Sequence, residues 1–135
     1  DISWIEKLTK LRKLDLRSNE KLSDITPLRS LTNLEILDLS VCRISDISPL
    51  SELKKLKKLD LWNNRIKDIT PLSGLTRLEY LSIGMNQVKD ISAIEDLTNL
   101  TELRVTKNQI SNIDALADLI NLQELYADEN KIQDI

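Results

Sequence analysis

The feature that most constrains this chain is an apolar pattern that returns every 22 residues. One leucine of the pattern recurs at this constant interval as Leu31, Leu53, Leu75, Leu97 and Leu119. The copy that begins at Leu53 reads Leu-x-x-Leu-x-x-Leu-x-Leu-x-x-Asn-x-Ile-x-Asp-Ile-x-Pro-Leu. A single copy cannot bury its own leucines, so consecutive copies must stack into one continuous core. The first copy, from Leu8, has one extra residue between Asn19 and Leu22.

Each repeat is expected to contribute one short strand. In Leu59-Asp60-Leu61 the side chains alternate, so the leucines face inward and Asp60 faces outward. The rest of each repeat is too short for long helices, which predicts turns and short 3₁₀ segments on the opposite side. The fold class expected is an α/β solenoid with six parallel strands on its concave face, formed as one domain by residues 1–135.

Two polar positions recur with the leucines. An asparagine, expected to be buried and bonded to backbone groups that lack strand partners, recurs as Asn19, Asn64, Asn86, Asn108 and Asn130. Cys42 occupies the same position in the second repeat, where a small apolar core residue fits but bonds less well. An acceptor that would begin each 3₁₀ turn recurs as Asp1, Asp24, Asp46, Asp68, Asp90, Asn112 and Asp134.

The run Asp46-Ile47-Ser48-Pro49-Leu50, repeated at 68–72, resembles the 22-residue leucine-rich repeat of the internalins and related bacterial surface proteins. The resemblance covers essentially the whole chain. It implies a concave sheet that binds protein receptors, and a protein that is secreted or held at the cell wall. It also implies terminal caps. The sequence opens and stops within a repeat, so we expect a fragment, with further repeats or cap domains in the full-length chain.

A similar 22-residue repeat occurs in the eukaryotic phosphatase-regulatory leucine-rich repeat proteins, which favour Ile-Glu-x-Leu where this chain has Asp-Ile-x-Pro-Leu. Two function classes therefore stay open. One is adhesion or receptor recognition at a bacterial surface, and the other is an intracellular scaffold or regulatory subunit in the cytoplasm. A third interpretation is a structural spacer without a partner of its own.

The composition argues against catalysis and against cofactors. The chain has no histidine, one cysteine and two glycines, so it lacks a His-based triad and a phosphate-cradling loop. Stacked aspartates one coil apart do not converge on one ion, so no metal is expected. A net charge of −3 gives no reason to expect nucleic acid, and no stretch of the sequence suits a membrane helix.

Specificity is expected at the outward strand positions, because the core does not dictate their identities. Three of the four aromatic residues, Trp62, Tyr80 and Tyr126, fall at such positions. Trp, Tyr and Arg are the usual anchors of interfaces. The residues predicted to bind the protein partner are Lys58, Asp60, Trp62, Tyr80, Ser82, Arg104 and Tyr126. Charge is uneven along the chain: residues 1–65 carry 13 Lys and Arg against 10 acids, and residues 66–135 carry 6 against 12.

Overall fold

The protein is a stack of coils around a leucine core. The computed structural model describes residues 1–133, so the expectations for Asp134 and Ile135 lie outside the described residues. Six three-residue strands form a single parallel sheet in chain order. The strands are β1 (Lys13–Asp15), β2 (Ile36–Asp38), β3 (Lys58–Asp60), β4 (Tyr80–Ser82), β5 (Glu102–Arg104) and β6 (Glu124–Tyr126). This confirms the predicted solenoid and its sheet.

The opposite side of each coil is a short 3₁₀ segment. The six segments are Ser3–Lys7, Thr26–Ser30, Ser48–Leu50, Thr70–Leu72, Ser92–Ile94 and Asp114–Leu116. The recurring acceptor begins each of them, as predicted: Asp46 Oδ1 accepts the Ser48 N–H at 2.8 Å, and Asn112 Oδ1 accepts the Asp114 N–H at 2.7 Å. The hydrogen bond from the Ser48 backbone is the largest cause of the lowered pKa of Asp46. No helix among residues 1–133 is long and apolar enough to cross a membrane.

The core consists of leucine and isoleucine columns that run along the stack. The central strand leucines pair in register, as Leu37 with Leu59 and Leu81 with Leu103, and all four are at most 1% exposed. Burial is incomplete in the last coil, where Leu125 is 47% exposed. Each coil therefore buries its leucines against its neighbours, as the spacing predicted.

The recurring asparagines form a hydrogen-bonded ladder behind the sheet. Asn64 Nδ2 donates to the carbonyl oxygens of Leu39 (2.9 Å) and Leu61 (3.1 Å), and its Oδ1 accepts the Ile44 N–H at 3.0 Å. Asn86 repeats the pattern one coil later and shares the Leu61 carbonyl at 3.0 Å. Consecutive asparagines thus bond to common carbonyls, which ties each coil to the one before it. Asn64 and Asn108 are buried, Asn86 and Asn130 are half-buried, and Asn19 is exposed.

Cys42 interrupts this ladder in the second coil. Its thiol lies 3.6 Å from the carbonyl oxygens of Leu16 and Ser40, which makes weaker contacts than the amide does elsewhere. An asparagine at position 42 would accept the Leu22 N–H with its side-chain oxygen. With Cys42 there, the Leu22 N–H donates to the Asn19 carbonyl at 2.8 Å instead. The extra residue between Asn19 and Leu22 makes this local turn possible. Burial is the main cause of the raised pKa of the Cys42 thiol.

A second recurring feature is backbone in the left-handed region just before each ladder position. The residues with positive φ are Ser18 (60°), Val41 (56°), Asn63 (55°), Met85 (50°), Lys107 (55°) and Glu129 (53°). None of them is glycine, although this region favours glycine and asparagine. The least suited is the β-branched Val41, so the second coil stores backbone strain beside the interruption in the ladder.

Candidate functional site

The candidate site is built on outward positions of the concave face, which we define as the sheet face that carries Asp60 and Arg104. Parallel register places these residues in columns, one strand apart. The column through β1–β6 that contains Asp60 and Arg104 reads Asp15, Asp38, Asp60, Ser82, Arg104 and Tyr126. Tyr80 lies in the column beside it, between Lys58 and Glu102.

Trp62 lies over a glycine. The indole covers Gly84 on the next coil, and a Cβ built on Gly84 would come within 2.5 Å of Trp62 Cε3. Because real Cβ atoms do not approach this closely, only glycine allows the ring to lie flat across the sheet. Trp62 is half-buried in this position.

Arg104 is held between two tyrosines. Its guanidinium carbon lies 4.8 Å from the Tyr126 ring centroid and 6.0 Å from that of Tyr80, within the range of cation–π attraction. Its Nε donates to Glu102 Oε1 at 2.6 Å. This bond is the largest cause of the raised pKa of Arg104, so the guanidinium is charged and fixed in direction.

Tyr80 bridges toward the preceding strand. Its hydroxyl lies 3.3 Å from Asp60 Oδ2, and Asp60 Oδ1 accepts the Trp62 N–H at 2.9 Å. Burial and the charge of Asp38 raise the pKa of Asp60, although the hydrogen bond from Trp62 opposes the shift. Burial also raises the pKa of Tyr80, followed by the charge of Asp60.

The structure brings together six of the seven residues predicted for partner binding. Ser82 lies within this group, but its side chain is 1% exposed, so a partner could not touch it while the neighbouring side chains stay in place. Its hydroxyl is next to Asp60 and Tyr80, which it supports. Lys58 is the seventh residue. It is exposed in the column of Tyr80, and in the described structure it forms no ion pair within 4.0 Å with the acidic residues of the site.

Two acidic residues at the site were not singled out from the sequence. Glu102 orients Arg104, and Glu124 Oε2 accepts the Tyr126 hydroxyl at 2.8 Å. In both pairs the acid precedes its partner by two residues on one strand, which places both side chains on the same face. That spacing is the signal that could have identified them.

The groups at this site are of the kinds that bind another molecule through non-covalent contacts. The site offers aromatic faces, a fixed guanidinium and carboxylates. Within residues 1–133 no group of three or more His, Cys, Asp or Glu is arranged to hold a metal ion. The lone cysteine, Cys42, is buried behind the sheet and lies outside this surface.

Comparison with family models gives matches along nearly the whole chain. A model for two copies of the leucine-rich repeat matches residues 32–74, 54–98, 76–118 and 98–135. A single-repeat model matches residues 7–25. Comparison with curated proteins gives no match.

Solved structures of similar chains include two internalins from Listeria monocytogenes. One (inlF) is 42% identical with a TM-score of 0.94, and the match covers 96% of this chain and 38% of that one. Internalin C2 is 37% identical with a TM-score of 0.73, covering 97% of this chain and 67% of that one. A leucine-rich repeat protein of Leptospira interrogans is 29% identical with a TM-score of 0.90, covering 97% and 34%. The chain thus spans well under half of two of these relatives and about two thirds of the third.

Proposed function

Since this chain belongs to the leucine-rich repeat family, in its internalin-like class, we propose that it binds a protein partner through the concave face, as an adhesion or receptor-recognition module at a bacterial surface. Leucine-rich repeat proteins are in general protein-interaction modules, and their curved stacks present extended binding surfaces. The surface location is suggested by the likeness to internalins.

One observation carries the proposal. The concave face carries Arg104 between Tyr80 and Tyr126, and it also carries Trp62 over Gly84. The leucine core requires none of these identities. These are the residue types that supply most of the binding energy at protein interfaces. Glu102 and the tyrosines already order Arg104, so binding would cost less side-chain entropy there.

Trp62→Ala tests the role of these concave-face residues, with Lys89→Ala as the control. Lys89 is exposed and lies outside the concave strands. With the full-length protein and its receptor, Trp62→Ala should weaken binding by about 2 kcal/mol or more, which is about 30-fold in Kd. Lys89→Ala should leave Kd unchanged. Equal affinity of the two variants would remove Trp62 from the interface.

The location is tested on intact cells of the source organism. An antibody against the repeat should label them without permeabilisation, and external protease should remove the label. Recovery of the protein only from the cytosolic fraction would contradict a surface role and would favour the intracellular scaffold.

A further inference from the structure

Asp60 is a half-buried carboxylate without a cation. Within residues 1–133 no Lys or Arg nitrogen lies within 4.0 Å of it, whereas Glu102 on the same face pairs with Arg104 at 2.6 Å. Asp60 Oδ1 accepts the Trp62 N–H, Oδ2 accepts the Tyr80 hydroxyl at 3.3 Å, and the Ser82 hydroxyl also bonds to this carboxylate. The donors that meet Asp60 are therefore all neutral, and none of them offsets its charge.

The surroundings of Asp60 make this charge more costly. Asp38 pairs with Asp60 in register on the neighbouring strand, so two carboxylates follow one another along the sheet. Arg17 approaches Asp38 only to 3.9 Å and makes its shorter contact, 3.1 Å, with Asp15. A charge removed from water is costly unless an opposite charge meets it. This point of the surface therefore lacks one positive charge.

We propose that the protein partner presents a basic side chain, a lysine or an arginine, which enters the concave face between Trp62 and Asp60; this rests on the proposed function. Asp60 Oδ2 accepts a hydrogen bond from the cation, and the aliphatic stem lies along the Trp62 indole. An indole face attracts a cation, so the ring and the carboxylate favour the same group. The lack of a side chain at Gly84 is what allows the ring to lie this close to the sheet.

Acidic side chains on the neighbouring coils also favour a basic partner. On β5, β6 and the residues that follow them, outward positions carry Glu102, Glu124 and Asp128 against the single cation Arg104. Residues 66–135 as a whole carry 6 basic and 12 acidic residues. A partner segment that crosses from Trp62 toward Tyr126 passes more acidic than basic side chains, which favours a basic segment.

A displayed random dodecapeptide library, selected on the full-length protein, tests this without a known receptor. The selected peptides are synthesised, and their Kd is measured against wild type, Asp60→Asn, Trp62→Ala and Asp118→Asn. Asn at position 60 keeps an oxygen for the Trp62 N–H and removes only the charge. Asp118 is exposed and lies outside the strands, so Asp118→Asn is the charge-matched control.

The expected result is enrichment of Lys and Arg in the peptides, with Kd raised at least about tenfold by Asp60→Asn and by Trp62→Ala, and unchanged by Asp118→Asn. Peptides that lose affinity with Trp62→Ala, but are not basic and ignore Asp60→Asn, would overturn this inference and leave the concave interface standing. Acidic peptides would overturn it in the same way, with Arg104 as the anchor. Peptides indifferent to Trp62→Ala, or none selected, would overturn both the inference and the proposed interface.

Discussion

The asparagine ladder makes a quantitative prediction about two equivalent positions. In Asn86→Ala the Ile66 N–H loses its acceptor at 2.9 Å. The carbonyls that Asn86 shares keep other donors, since Leu61 retains Asn64 and Ile83 retains Asn108. One buried group without a hydrogen-bond partner lowers the free energy of unfolding by about 1–3 kcal/mol.

Asn64→Ala leaves two backbone groups without a hydrogen-bond partner, where Asn86→Ala leaves one. The Ile44 N–H loses Oδ1, and the Leu39 carbonyl loses its donor, because Cys42 makes no hydrogen bond to Leu39 in the described structure. We therefore expect Asn64→Ala to cost about 2–6 kcal/mol, roughly twice the cost of Asn86→Ala. At this chain length 1 kcal/mol corresponds to about 3–5 °C in Tm.

A double-mutant cycle isolates the cause. An asparagine at position 42 would donate to the Leu39 carbonyl, as Asn64 does to the Leu61 carbonyl. In the Cys42→Asn background, the cost of Asn64→Ala should fall to that of Asn86→Ala. The Cys42→Asn change itself should be neutral or stabilising. Urea midpoints with unchanged m-values provide the measurement. Equal costs for Asn64→Ala and Asn86→Ala in the wild-type background would refute the carbonyl-sharing argument.

Three further outcomes are expected. Val41→Asn should raise the free energy of unfolding by about 0.5–1 kcal/mol, since asparagine tolerates the φ of 56° better than valine; an unchanged urea midpoint would contradict the strain. Gly84→Ala should tilt the Trp62 ring off the sheet and weaken receptor binding, and a crystal structure of the variant with an undisplaced indole would contradict this. Asp60→Asn should raise stability at pH 7, because the raised pKa of Asp60 means that its charged form disfavours the fold. The gain should shrink as the pH falls through that raised pKa and vanish below the ordinary pKa of an aspartate, where the carboxyl is protonated in both the folded and the unfolded protein. A gain independent of pH, followed by urea melts across this range, would mean that charge is not the cause.

The sequence was sufficient to predict the fold because one 22-residue period places the leucines, the asparagines and the acceptors of every coil. The spacing of the leucines predicted strand register, and the acceptor before each 3₁₀ segment followed from its place in the repeat. The left-handed column could not be predicted in the same way. Its residues share no side-chain chemistry, and the absence of glycine removed the usual signal of positive φ.

The candidate site could be predicted only in part. Columns follow from the register, so the contact of Arg104 with Tyr126 and the overlap of Trp62 with Gly84 were accessible to sequence reasoning. The direction in which each side chain points along the sheet could not be predicted from the sequence. The lean of Tyr80 toward Asp60, and the burial of Ser82 beside them, depend on packing between side chains of different strands.

The shared carbonyls also determine how the stack comes apart. In an array whose coils touch only their neighbours, cooperativity depends on the strength of each junction. Backbone bonds are alike at the successive junctions, but the one between the first and second coils contains a thiol where later junctions contain an amide. We therefore expect the first coil to separate from the second at lower cost than the amide-linked coils separate from one another. The Cys42 junction would then be the boundary between two cooperative segments of a single continuous core.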